Sequence, residues 1–99
     1  MLTQATAGTF NAITVDSDTS TSDTVLLFAT GAAGNAPLTG WDSPGADALY
    51  AAIHAVALEL AQLVVRDGEG ASKFITISVS GAVSDASAKR VALSIANSP

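Results

Sequence analysis

The chain has 99 residues, of which 48% are hydrophobic and only 13% charged, with a net charge of −5 and no cysteine. Nine acids against four bases leave no basic stripe, which argues against nucleic acid and against an anionic membrane surface as partners. One histidine and no cysteine exclude disulfides and thiol chemistry and argue against a structural zinc centre.

A chain of this length buries only about 60–65% of its unfolded surface. Its charged fraction is about half the usual one, too few charges to solvate a whole surface. The composition suits a segment covered by further protein, either more chain or a partner. Residues 1–8 show neither a positive region nor an apolar core and are not read as a signal peptide. No apolar run reaches the roughly 18 residues of a membrane span without polar interruption. A single partial domain over residues 1–99, in a cytoplasmic protein, is expected.

Residues 1–8 read as the tail of a helix. Residues 9–16 alternate, with Ile13 and Val15 on one face and Phe10, Ala12 and Thr14 on the other, the pattern of a strand. Residues 17–23 are short polar side chains and read as an ordered turn. Residues 24–30 form a continuous apolar run that suits a doubly buried strand or a short buried helix; Thr24, Val25 and the stop at Gly31 favour a strand. Glycines and prolines make residues 31–45 a loop, with Trp41 pinning it to the surface. Residues 46–66 read as a long helix. Leu49, Ile53, Val56, Leu60 and Leu63 make one buried stripe, and Asp47 and Arg66 complement the dipole at its two ends. The opposite face is also apolar, so the helix should be covered on more than one side.

Residues 74–80 alternate cleanly, with Ile75, Ile77 and Val79 inward, as a strand. Ser84 or Asp85 caps a last helix with Ala88, Val91, Ala92 and Ile95 inward and Lys89 and Arg90 outward. The order strand, strand, long helix, strand, helix predicts an α/β (α+β) fold, a mixed sheet with helices packed on one face.

Chemistry-bearing residues are sparse. Asp67-Gly68-Glu69-Gly70-Ala71-Ser72-Lys73 sets three charges and two glycines between a helix and a predicted strand. Glycines allow tight turns and close approach, so Glu69 reads either as a ligand-contacting carboxylate or as a solvated residue beyond a helix C-cap at Gly68. Asp16 and Asp18 resemble the nucleophile and acid of magnesium-dependent haloacid-dehalogenase phosphatases, without the usual glycine-threonine continuation. They also resemble the start of a calcium loop, but Thr21 and Leu27 stand where its glycine and glutamate belong. An ordered structural turn is the plainer reading. His54 has no cysteine or second histidine beside it and reads as a structural residue. No serine lies in a Gly-x-Ser-x-Gly turn, and Gly68-Glu69-Gly70 lacks the spacing of a nucleotide-binding loop. The residues alone assemble no complete active site and specify no cofactor.

Three stretches together carry a resemblance. Phe10-Asn11-Ala12-Ile13-Thr14-Val15-Asp16-Ser17-Asp18-Thr19-Ser20-Thr21-Ser22-Asp23-Thr24 resembles the "FN.ITVD.DTST.DT" signature of the ornithine acetyltransferase (ArgJ-type) family. Val64-Val65-Arg66-Asp67-Gly68-Glu69-Gly70-Ala71-Ser72-Lys73-Phe74 resembles its "RDGEGATKF" segment, and Ile95-Ala96-Asn97-Ser98-Pro99 its "ANSP". The departures are Ser17, where many members have glycine, Ser22, where many have asparagine, and Ser72, where many have threonine.

The resemblance implies the central part of that enzyme's β subunit and part of its fold. The implied activity is acetyl transfer from N-acetylornithine to glutamate in arginine biosynthesis; some members also use acetyl-CoA. The nucleophile is a threonine freed by cleavage in an "ATML" motif upstream of the matched segment. Ala5-Thr6 and Ala29-Thr30 lack the Met-Leu continuation and are not assigned, so no catalytic residue is expected here. Glu69 matches the family's substrate-binding glutamate, which implies pairing with an ammonium of ornithine. The partners implied are N-acetylornithine or ornithine, glutamate and the remaining enzyme segments. The alternative is a free-standing interaction module that self-associates through its apolar helix.

Overall fold

The computed structural model describes residues 1–17 and 23–99. Its elements are α1 (Leu2–Ala7), a 3-10 turn at Phe10–Ala12, α2 (Ala46–Arg66) and α3 (Asp85–Ala96). The expected helical tail, long helix and final helix are all present, and residues 31–45 form a loop.

α2 starts from Gly45 in a left-handed conformation and carries Asp47 in its first turn and Arg66 in its last. Opposite charges at the two ends suit the helix dipole. α1 and the 3-10 turn pack against α2. The buried apolar residues are all small: Ala5 in α1 and Ala46, Ala57 and Ala61 in α2. Alanine lets two helix backbones approach closely, and it carries the best helix propensity. Thr9 is the largest fully buried side chain, and its Oγ1 donates to the Ala5 carbonyl at 2.7 Å. That bond satisfies a carbonyl left open at the end of α1. The Ser84 hydroxyl caps α3 by accepting from the Ser87 amide at 3.1 Å. Lys89 Nζ reaches back from α3 to the Ala7 carbonyl at 2.6 Å, so it is half-buried rather than outward. A cation at the C-terminal end of α1 also complements the helix dipole.

The expected mixed sheet is not there: among the described residues no strand forms, and the regular structure is entirely helical. Residues 9–16 bend into the 3-10 turn at Phe10–Ala12, and Ile13 after it has an extended backbone but pairs with no strand. Residues 24–30 and 74–80 are neither helical nor paired. The reason is physical: alternation decides which way side chains point, but a strand exists only when a neighbour completes its hydrogen-bond ladder.

The buried face of α2 is likewise not the expected one. The alanine face meets α1, while Leu49, Val56, Leu60 and Leu63 stay exposed, Val56 at 58%. On α3 the half-buried residues are Ser87, Ala88, Lys89, Ala92, Leu93 and Ala96; Val91 and Ile95 face outward. α2 is long and apolar enough to cross a membrane by length and composition alone. The total accessible surface is 7743 Å², against about 5,200 Å² for a compact monomer of this mass. The excess of roughly 2,500 Å² is comparable to a large obligate interface seen from one side. The radius of gyration of 16.1 Å points the same way, since a 100-residue domain has about 13 Å.

Two outcomes follow. Ser84→Ala should cost α3 about 1 kcal/mol, read as faster amide exchange across its first turn; an unchanged rate would remove the cap from the account. Residues 1–99 in isolation should bind a hydrophobic dye strongly and sediment above the monomer, because the exposed leucine and valine face has nothing else to bury it. A dye-silent monomer would contradict that surface.

Candidate functional site

The helix ends that matter are both C-terminal. α2 stops at Arg66, where the Asp67 amide donates to the Leu63 carbonyl at 2.9 Å. The chain then turns: the Gly68 amide donates to Val65 O at 3.3 Å and the Ala71 amide to Gly68 O at 2.9 Å. Gly68 is not a left-handed cap. It is glycine because a methyl group there would stand 2.9 Å from Val15 Cγ1 and 3.3 Å from the Val65 carbonyl oxygen. Gly70 supplies the left-handed residue of the turn, with φ of 74°. Glu69 lies between them, exposed, and its carboxylate engages no partner among the described residues.

Val15 brings the first motif to the second. The third arrives through Ser17, whose Oγ donates to the Asn97 carbonyl at 3.2 Å across eighty positions of sequence. Ser17 holds φ of 73°, a left-handed conformation that costs a non-glycine residue roughly 1–2 kcal/mol. That conformation gives a physical meaning to glycine at the same place in the resembling signature. Stretches 10–17, 64–74 and 95–99 therefore converge where the C-terminal ends of α2 and α3 lie. Helix C-termini carry partial negative charge, and Asp67 and Glu69 add to it. Such a place favours a cation over an anion.

The remaining expected residues do not form a site. Asp16 is exposed and engaged in an interaction of its own. Its partner in the magnesium and calcium readings, Asp18, lies outside the described residues, as does most of the polar turn at 17–23. No group of three acids or histidines that could hold a metal occurs among the described residues. His54 is half-buried, 6.0 Å from the Tyr50 ring, which Trp41 meets edge-on at 5.2 Å. Its Nε2 faces Gly8, so it packs against the end of α1. Thr6 donates to Thr3 O within α1, and Thr30 accepts from the Ala32 amide, so both Ala-Thr pairs are in local structure.

A cavity of about 250 Å³ lies between α2 and α3, walled by Leu58, Val65, Ile75, Ile77 and Leu93. Its lysine, Lys89, is already bonded to Ala7. The walls are mainly aliphatic, and no nucleophile and base meet there.

Two features escaped sequence reading. The first is the Val15–Gly68 contact. The second is the stacking of Arg66, whose guanidinium carbon lies 4.7 Å from the centroid of the Phe74 ring. An arginine and a phenylalanine eight positions apart across a glycine turn carry no periodic signal.

Comparison with known proteins gives one answer throughout. The ArgJ family model matches residues 1–99. The arginine biosynthesis bifunctional protein ArgJ of Zymomonas mobilis is 65% identical over 99 residues, covering 100% of this chain and 24% of that protein. The Ruegeria pomeroyi protein of the same name is 59% identical, over 100% of this chain and 23% of its own length. The crystal structure of Bacillus halodurans ArgJ superposes with a TM-score of 0.91 at 44% identity, covering 98% of this chain and 45% of that one. The chain thus spans about a quarter of the length of the curated relatives it matches. Family model, sequence relatives and solved structure agree from end to end of these 99 residues, and the chain belongs to the ArgJ family.

Proposed function

We propose that residues 1–99 are an interior segment of a cytoplasmic glutamate N-acetyltransferase of arginine biosynthesis, which moves an acetyl group from N-acetylornithine to glutamate. In this reading the segment forms the central, single partial domain of the β subunit, and Glu69 receives the substrate's free ammonium. The observation that carries the reading is the convergence of the three motif stretches beside Glu69, which is exposed and has no partner among the described residues. A carboxylate just beyond the C-terminus of α2 suits an alkylammonium, and a charge-assisted hydrogen bond there contributes more than a neutral one.

Acyl transfer further requires a nucleophile and oxyanion donors in the same site. Those groups would come from other segments of the enzyme, as would the cover over the leucine and valine face of α2. That face also favours a second reading, a module that self-associates through α2. The two part on one measurement: an enzyme in which residues 1–99 replace the matching segment of the Zymomonas mobilis relative should retain acetyl transfer under the first reading and lose it under the second.

In that chimeric enzyme Glu69→Gln should raise KM for N-acetylornithine by about 10- to 100-fold, with the thermal midpoint unchanged. An unaltered KM would remove Glu69 from the substrate site. Gly68→Ala should also raise KM and lower stability by about 1–3 kcal/mol, since the new methyl meets Val15. Adding Val15→Ala should recover part of both losses, and strict additivity of the two substitutions would show that the contact plays no role.

A further inference from the structure

Glu69 stands between two cations in sequence, Arg66 three positions before it and Lys73 four after. A guanidinium this near is a natural competitor for the carboxylate, because its planar fork matches two carboxylate oxygens. The pairing does not occur. Arg66 lies over the Phe74 ring at 4.7 Å, and the Glu69 carboxylate stays without a partner among the described residues. The ring face offers the cation an electrostatic alternative. The same stack ties the last residue of α2 to the segment beyond the turn. It therefore closes residues 67–73, and Val15 packs against Gly68 within them.

We infer that Arg66 and Phe74 form a positioning clamp: stacking holds the 67–73 turn closed and keeps the guanidinium off Glu69, so that the carboxylate is presented unpaired to a substrate ammonium. This rests on the reading of Glu69 as the ammonium partner and adds two residues that touch no substrate. Removal of the ring would have two effects. The turn would loosen, and Arg66 would be free to neutralise Glu69.

The test uses the chimeric enzyme described above. Phe74→Leu should raise KM for N-acetylornithine about three- to tenfold with kcat nearly unchanged, and should speed amide exchange at residues 68–71. Phe74→Tyr keeps the ring and should behave as the parent. Phe74→Leu combined with Arg66→Gln should bring KM back toward the parent value, because the competing cation is gone, while exchange stays fast. Unchanged KM and unchanged exchange in Phe74→Leu would overturn the clamp, and so would a loss confined to kcat. A double variant no better than Phe74→Leu would overturn the competition. The Glu69→Gln variant separates the two layers. If it leaves KM unchanged while exchange still responds to Phe74→Leu, the substrate reading fails and the clamp stands. If it raises KM while Phe74→Leu alters nothing, the clamp fails and the substrate reading stands.

Discussion

The packing of α1 on α2 is made by alanines, and that choice governs the rest of the structure. Ala5, Ala57 and Ala61 allow the two backbones to approach, but each buries only a methyl group. Burial of apolar area is the main favourable term in folding, at roughly 25 cal/mol per Å², and a seam of methyl groups removes little area. Leu49, Val56, Leu58, Leu60, Leu63 and Val64 of α2 sit on the other faces, exposed. The molecule consequently holds its shape through a narrow seam and a few specific bonds: Thr9 to Ala5, Lys89 to Ala7 and Ser17 to Asn97. Its greater apolar surface remains uncovered.

The helices were legible because their determinants are local. Capping at Ser84 and a dipole pair at Asp47 and Arg66 act within a few residues. The expected sheet failed for the opposite reason. Residues 74–80 alternate as a strand should, yet alternation is a property of one segment and a ladder a property of two. The face of α2 was misjudged by the same logic. Periodicity marked Leu49, Val56, Leu60 and Leu63 as a stripe that wants cover, which is a statement about preference. What covers a stripe is decided elsewhere, and within this segment the small residues found a neighbour first.

The candidate site divides similarly. Glu69 could be singled out because a carboxylate between two glycines is conspicuous in a charge-poor chain. The roles of the glycines could not be assigned. In sequence Gly68 reads as a helix cap, but its smallness serves Val15, fifty-three positions earlier, and the left-handed residue is Gly70. Nor could Arg66 be placed on Phe74, since nothing in the spacing links them. Motif resemblance singles out three stretches; that they meet is visible only in the fold.

The bond from Ser17 to Asn97 has a kinetic meaning. It closes a loop of about eighty residues, and although the entropy of closure grows only logarithmically with length, it has to be overcome before the contact gives anything back. α2 and α3 can form from local bonds in well under a millisecond. The corner where the motifs gather must wait for both. Substitutions in that corner should then speed unfolding while leaving the folding rate almost untouched, so the corner is the last part to assemble and the first to come apart.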